Sequence, residues 1–258
     1  MTYWQDRHQA SQQAIANKRQ REIDKQIKKY YKNLSKQVIR DYENVYHKVL
    51  LKQAAGEEIS PAVLYSMDKY WAMNSQLQKR LDKLGAKLSV LMSKYFEIVY
   101  RDSYNAISWE GLDAYKTLDE ELVKQAITSV WAADGKSWSQ RIWQNTKLLQ
   151  QTLDEELIHC LVAGRSTTDL TDLLQQRFNV SYSRADTLVR TEMAHIQTEA
   201  AKQRYKDYGI QMVEVWADKD ERRCDVCGKL HQKTYPVHAQ VPIPAHPNCR
   251  CCIVPVVD

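Results

Sequence analysis

The N-terminal part of the chain carries a long helical pattern that no helix-breaking residue interrupts. Between Ile15 and Leu51 there is no glycine or proline, and apolar residues recur at steps of three and four. These positions are Ile23, Ile27, Tyr30, Leu34, Val38, Tyr42, Val45 and Val49. Such spacing over many turns predicts one long amphipathic helix. The pattern predicts a mainly α-helical fold.

Similar periodicity continues as far as residue 208. Ser60 and Pro61 offer a cap and a first-turn proline for a second helix that runs to about residue 84. Gly85 interrupts this pattern before a third apolar run over residues 88–107. Further helices are expected at about 117–132, 138–163, 166–178 and 181–208, the last of them capped by Ser181 or Ser183.

The pattern changes at Gly209. Residues 210–218 alternate and are rich in β-branched side chains, which predicts a strand. Residues 252–258 form a second strand candidate, and Pro255 restricts that strand to the edge of a sheet. The predicted fold is therefore mainly α, with long amphipathic helices followed by a small C-terminal α+β element that bears a cluster of cysteine and histidine.

Hydropathy and charge limit the cellular location and the partners that can be expected for this protein. No run of eighteen apolar residues occurs, so no membrane span is predicted. The N-terminus lacks the apolar region of a secretory signal, so the protein is expected in a cytoplasm, where thiols stay reduced. Residues 1–55 hold 12 lysines and arginines against 5 acidic residues. This excess of positive charge indicates either a solvated helix face or a contact with phosphate or an acidic partner. The candidate contact residues are Lys18, Arg19, Lys25, Lys28, Lys29 and Lys32.

The C-terminal stretch from Glu221 to Cys252 concentrates metal-ligating side chains, with five of the six cysteines and three of the seven histidines. Cys224, Cys227, His246 and Cys249 give the spacing C-x2-C-x18-H-x2-C, which is typical of a structural Cys3His zinc site. Cys251 and Cys252 compete with Cys249 for the fourth place, and His231 and His238 compete with His246. The alternative is a group of reduced thiols without a metal.

Motifs of catalysis are absent from the sequence. There is no GxGxxG, GxxxxGK[ST], G-x-S-x-G or H-E-x-x-H, and no partner set that would activate a cysteine nucleophile is apparent. Trp131, Trp138 and Trp143 cluster in the sequence. Packing between helices explains these tryptophans better than base stacking does. We therefore expect a protein that is not an enzyme.

Several separated elements near the C-terminus occur in the order of a known family motif. They are an Arg-Thr-Glu triplet on a predicted helix, a strand that reaches a tryptophan, an aspartate, the C-x2-C pair and the sequence HPNCRC. Here they are Arg190, Thr191, Glu192, Trp216, Asp218 or Asp220, Cys224, Cys227 and His246 to Cys251, with Arg250 between the cysteines. Over about residues 160–258 the sequence thus resembles the minor head proteins of tailed bacteriophages, the Mu F-like head morphogenesis family.

This resemblance implies a structural virion component that is placed with the portal during procapsid assembly. The implied partners are the portal protein and capsid or scaffold proteins, with double-stranded DNA as a further candidate. The implied location is the phage head interior or the vicinity of the portal, after assembly in the host bacterial cytoplasm. A DNA-binding accessory or ejected protein is the alternative function, and a toxin-like enzyme is a third.

The resemblance also suggests a division of the chain and a role for the triplet. Residues 1–110 form a long-helix region for a partner or portal contact, 111–165 a helical middle, and 166–258 the Mu F-like region. Arg190 and Glu192 lie two apart on a helix and face different directions. One of them is expected to reach Asp218 or Asp220 and fasten the helix to the C-terminal element; the alternative is that both are solvated. The chain departs from the family pattern at His231, where a glycine is usual nearby, and in having Cys252.

Overall fold

The computed structural model describes residues 3–58, 60–108, 118–217 and 223–256. Within these ranges the chain is mainly helical and ends in a small antiparallel sheet, which confirms the predicted fold class. The elements in chain order are α1 (Tyr3–Ala54), α2 (Pro61–Tyr65), α3 (Asp68–Asn105), α4 (Glu120–Thr128), α5 (Trp138–Val162), α6 (Thr167–Asp207), β1 (Met212–Trp216), α7 (Asp225–Leu230), β2 (Thr234–Pro236) and β3 (Cys252–Pro255). No helix in the described ranges combines the length and apolarity that crossing a bilayer requires.

The helix α1 confirms the long amphipathic helix and exceeds its expected bounds. It has 52 residues, and its predicted apolar stripe is buried at every position except Tyr30, where the neighbouring Tyr31 is buried instead. Ser60 caps α2 as expected, because its Oγ accepts a hydrogen bond from the Val63 amide (3.4 Å). α2 is only five residues long, however, and the remainder of the expected second helix belongs to α3.

Two predicted helix breaks are wrong, because tertiary partners accommodate the residues that suggested them. Gly85 lies inside α3, where a Cβ atom at its position would meet Cζ3 of Trp143 at 2.7 Å. Ser181 lies buried inside α6 instead of capping a new helix. Its carbonyl accepts hydrogen bonds from Asn145 Nδ2 (2.9 Å) and from the hydroxyl of Tyr31 (3.3 Å). Neither residue therefore ends a helix.

The chain forms two compact units that each draw on separate stretches. Unit 2 comprises Lys25–Val90 and Ser139–Asp186. It is a bundle of helical segments in which the hydroxyl of Tyr42 donates to Asp154 (3.0 Å) and Arg80 pairs with Asp41. Unit 1 comprises Met1–Asp24, Leu91–Trp138 and Thr187–Asp258. The three-part division inferred from the sequence follows chain order, is not tested by this grouping, and stays a prediction.

Unit 1 contains the C-terminal α+β element, which we call the cap (described residues 212–217 and 223–256). Its strands are ordered β2-β1-β3, and both pairings are antiparallel. β1 and β3 confirm the two predicted strands, and Pro255 lies on an edge strand as expected. β2 and α7 were not predicted.

The cap has an apolar core that it shares with α6. Val213 and Val215 of β1 pack with Ile253 of β3 and with Ala201 and Tyr205 of α6. The remaining members of this cluster are Ile107, Ala217, Cys227, Val237, Val241, Ile243, Cys249 and Cys251. Three of the cysteines proposed from the sequence as metal ligands or alternates thus also form part of the core. The cysteine cluster is therefore not the sole support of the described cap.

Candidate metal centre

Two short backbone motifs present the predicted ligands. Cys224 is the N-cap of α7, and its Sγ accepts a hydrogen bond from the Cys227 amide (3.4 Å), so that one turn brings both sulfurs together. His246 and Cys249 flank a tight turn closed by the Cys249 amide, which donates to the His246 carbonyl (3.1 Å). Asn248 within this turn has φ 60°, a left-handed conformation that asparagine tolerates better than most residues.

Three of the four predicted ligands converge. His246 Nε2 lies 3.3 Å from Cys224 Sγ and 3.0 Å from Cys227 Sγ. The sulfurs of Cys227 and Cys249 are 3.7 Å apart, but Cys249 groups with Cys227 and Cys251 and not with Cys224 and His246. Zinc bonds of about 2.3 Å to sulfur and about 2.0 Å to nitrogen give tetrahedral edges of roughly 3.5–3.8 Å. Each of the two groups, which share Cys227, could therefore hold a metal ion.

The orientation of His246 suits a metal ligand. Its Nδ1 lies 2.8 Å from the carbonyl oxygen of Pro247, which accepts the Nδ1 hydrogen. That hydrogen bond leaves the Nε2 lone pair directed toward the two thiols of Cys224 and Cys227. A histidine whose second nitrogen is held by a backbone carbonyl is the common arrangement in metal sites.

Cys251 is a fifth donor, and its sulfur groups with those of Cys227 and Cys249. A hydrogen bond from Cys251 lowers the pKa of the Cys249 thiol to about 5. The same hydrogen bond, together with burial, raises the pKa of Cys251 far above its ordinary value. Cys249 and Cys251 both lie beside Cys227 as possible ligands.

The other two alternates have different surroundings. His231 Nδ1 accepts a hydrogen bond from the Ala217 amide (3.3 Å), and its ring packs edge-on against Trp216 with centroids 4.8 Å apart. It therefore supports the end of β1. Cys252 pairs with Trp216 in the sheet and belongs to neither group of possible metal ligands among the described residues.

The Arg-Thr-Glu triplet of α6 fastens the cap through its threonine. The Asn248 amide donates to Thr191 Oγ1 (3.1 Å), and Thr191 Oγ1 donates to the Thr187 carbonyl (2.8 Å). Arg190 is exposed. Asp218 and Asp220 lie outside the described residues, so the expected pairing with Arg190 or Glu192 stays a prediction. The sequence had singled out the two charged members of the triplet and missed the role of the uncharged one.

Glu192 is not solvated, because only 2% of its surface is exposed and Trp131 Nε1 donates to its Oε2 (2.8 Å). Trp131 also stacks on His195, with ring centroids 4.6 Å apart. His195 Nε2 lies 3.1 Å from the hydroxyl of Ser129, and burial lowers the pKa of His195 to about 4. Trp131 thus packs within the protein, as expected for this tryptophan. Its partner on α6 could not be identified from the sequence.

The basic residues of α1 differ in their surroundings. Lys18, Lys25, Lys28, Lys29 and Lys32 are exposed, and Lys28 lies 5.7 Å above the ring of Tyr182. Arg19 instead forms ion pairs with Asp102 (2.7 Å) and Glu22 (2.8 Å). Its charge is therefore already neutralised within the protein, whereas the lysines present theirs to solvent.

These features define a helical protein whose C-terminal cap gathers thiols and an imidazole and is hydrogen-bonded to a long helix. The family model described as "Phage Mu protein F like protein" matches residues 151–254. This match confirms, over residues 151–254, the resemblance to the phage Mu F-like family seen in the sequence. No curated protein and no solved structure matched the chain.

Proposed function

We propose that this protein is a structural minor head protein of a tailed phage or prophage that acts in head morphogenesis at the portal. The match of residues 151–254 to the Mu F-like family carries the proposal. The family is related to phage heads, which supports a place in the virion and partners among the capsid and portal proteins. The protein would join the particle during assembly in the bacterial cytoplasm.

The geometry of the cysteine cluster supports an architectural role over a catalytic one. His246 lies close to Cys224 and Cys227, and the buried Cys249 lies 3.7 Å from Cys227. A metal with four protein ligands leaves no position for a substrate. The neighbouring turn is hydrogen-bonded to α6 through Thr191. We propose Zn²⁺ as the ion, held by these four residues to fix the loops of the cap.

Purification of assembling particles tests the placement of the protein. The protein is expected to co-purify with procapsids when the portal is present and to be lost from procapsids assembled without the portal. Incorporation that does not depend on the portal would contradict the portal contact but leave a head role standing. Absence from procapsids of both kinds would contradict the head role itself.

The exposed lysines of α1 support a second candidate, contact with packaged DNA. Lys25, Lys28, Lys29 and Lys32 are exposed within 8 positions of one helix. Clustered exposed cations bind phosphates regardless of base sequence, and such binding weakens steeply as salt rises. This contact is independent of the metal centre.

A titration of duplex DNA at several salt concentrations tests whether the lysines of α1 contact DNA. Reversal of charge at Lys25, Lys28 and Lys29 should weaken binding and lower the slope of log K against log salt by about three. Reversal at Lys147, Lys229 and Lys233, which lie elsewhere in the sequence, is the matched control. Binding that is indifferent to salt, or an equal loss in the control, would refute the α1 contact.

A further inference from the structure

Unit 1 contains a cavity of about 570 Å³ beside the cysteine cluster. Residues of α1 between His8 and Gln20 form one wall, and residues of α6 between Arg190 and Ala201 form another. The stretch from Asn248 to Ile253 completes it. Ligand-binding pockets range from about 300 to 1,000 Å³, so this volume suits a small ligand or a short peptide segment.

The described lining of the cavity contains two arginines. Arg190 and Arg250 both line it and both are exposed, one supplied by α6 and the other by the loop that leads into β3. No aspartate or glutamate is among the described residues that line it. The two guanidiniums also interact within the protein, so a ligand would have to compete with those interactions. Guanidinium groups bind carboxylates through paired, charge-assisted hydrogen bonds.

Amide and small apolar side chains make up most of the rest of the lining. Asn17 and Asn248 are exposed and can donate and accept hydrogen bonds, as a peptide backbone requires, whereas Gln12 and Gln197 already hydrogen-bond each other and Ser103. The alanines leave room for the side chains of a peptide. The lining residues of these two kinds are Gln12, Gln13, Asn17, Gln20, Gln197 and Asn248, together with Ala16, Ala194 and Ala201.

We propose that this cavity binds a short peptide segment that carries carboxylates. The arginines hold the acidic groups, and the amides hold the peptide backbone. The identity of the partner as another head protein rests on the function proposed above, whereas the chemistry of the site does not. Because Asn248, Cys249 and Cys251 belong both to the lining and to the fastened loop, an intact cysteine cluster is required to shape the site.

Nucleic acid fits the cavity less well. No phenylalanine, tyrosine or tryptophan is among its described lining residues, so the bases of a single strand would have no aromatic face to stack on. A duplex presents a regular row of phosphates, which matches the lysines along α1 better than it matches a concave site.

Calorimetric titration of the full-length protein tests the proposal. The probe is the acetylated and amidated peptide Ala-Glu-Leu-Glu-Ala, and its counterpart with glutamine for glutamate is the matched probe. We expect the acidic peptide to bind and the glutamine peptide to bind about tenfold more weakly or not at all. No binding of the acidic peptide, or equal binding of both peptides, would overturn the proposal.

Three variants locate the binding. Arg190→Gln and Arg250→Gln should each weaken it about tenfold. Ala194→Leu should abolish it by filling the cavity without changing any charge. Arg21→Gln, at an exposed arginine of α1 outside the lining, is the control and should bind as the wild type does. Metal content and helicity, measured on every variant, separate loss of the site from loss of the fold.

Three further outcomes separate the possible failures. Equal weakening in Arg21→Gln, or duplex DNA that displaces the peptide and requires Arg250, would overturn the proposal in favour of a general anion surface. Peptide binding by a protein that is absent from procapsids would uphold the site while contradicting the head function.

Discussion

At the scale of single residues, the most informative contact is the hydrogen bond from the Asn248 amide to Thr191. It joins the metal-binding turn to α6 with one neutral hydroxyl. The sequence identified Thr191 only as the middle of a motif, because the charged neighbours were the more obvious candidates for a tertiary contact. A hydroxyl that accepts a backbone hydrogen bond leaves no pattern of charge or spacing in the sequence.

Thr191→Val should lower the free energy of unfolding by about 1–2 kcal/mol, because the Asn248 amide loses its acceptor while the size of the side chain is kept. Urea denaturation monitored by circular dichroism measures the change. Thr198→Val on the same helix is the matched control, since Thr198 Oγ1 donates only to the Ala194 carbonyl of its own helix (3.0 Å). A loss no larger than that of the control would mean that this hydrogen bond does not fasten the cap.

Burial of His195 makes stability depend on pH. Burial lowers its pKa from 6.5 to about 4, so the unfolded chain binds the proton more readily between these values. The contribution to stability is therefore present above about pH 6.5 and is lost as the pH falls toward 4. It amounts to about 3 kcal/mol over the whole window.

His195→Gln should flatten the dependence of the unfolding free energy on pH between 6.5 and 4, by up to about 1.4 kcal/mol per pH unit. Urea denaturation at a series of pH values gives this slope. His159→Gln controls for removal of an exposed imidazole. A slope in His195→Gln equal to that of the wild type would show that the buried imidazole does not titrate as its surroundings require.

At the scale of elements, the type of almost every segment could be predicted from periodicity, but two helix boundaries could not. Glycine at position 85 and serines at 181 and 183 are ordinary break and cap residues when judged by their neighbours in the chain. Gly85 and Ser181 instead depend on partners that are distant in sequence, Trp143 for the glycine and Tyr31 and Asn145 for the serine. α7 and β2 were missed because segments of 6 and 3 residues are too short to show a period.

Gly85→Ala separates packing from helix propensity. In the wild type the new methyl group would collide with the Trp143 ring, so we expect a loss of about 1 kcal/mol in unfolding free energy. In a Trp143→Ala background the same change should stabilise α3 by up to about 1 kcal/mol, because alanine favours helix more than glycine does. Thermal denaturation of the four proteins measures both values. Stabilisation in both backgrounds would contradict the close packing of Gly85 and Trp143.

The cap combines an apolar core with the cysteine cluster, so loss of the metal should loosen loops without unfolding helices. In Cys224→Ser we expect faster hydrogen exchange over residues 224–232 and 245–251, where the ligands lie. β1 and α6 should stay protected, because Val213, Val215 and Tyr205 pack in the core. Hydrogen exchange with mass spectrometry resolves these segments. Loss of protection throughout unit 1 would show that the metal, and not the core, holds the cap.

At the scale of the whole molecule, the family could be identified from the sequence because its motif residues are numerous and ordered. The two compact units could not, since each combines stretches far apart in the chain and depends on how long helices pair. Ligand types and spacing predicted that Cys224, Cys227 and His246 come together. Cys249 groups instead with Cys227 and Cys251, which depends on how the loop before β3 folds and is not encoded in the spacing.

Metal content measured by elemental mass spectrometry, on protein purified without chelator, tests whether Cys224, Cys227, His246 and Cys249 bind one cation. We expect about one zinc per chain in the wild type and in Cys252→Ser, and almost none in Cys224→Ser. Cys252 is the matched control because it lies in the same sequence cluster but outside both groups of possible ligands. A wild-type content near zero, or an equal loss in Cys252→Ser and Cys224→Ser, would contradict this expectation.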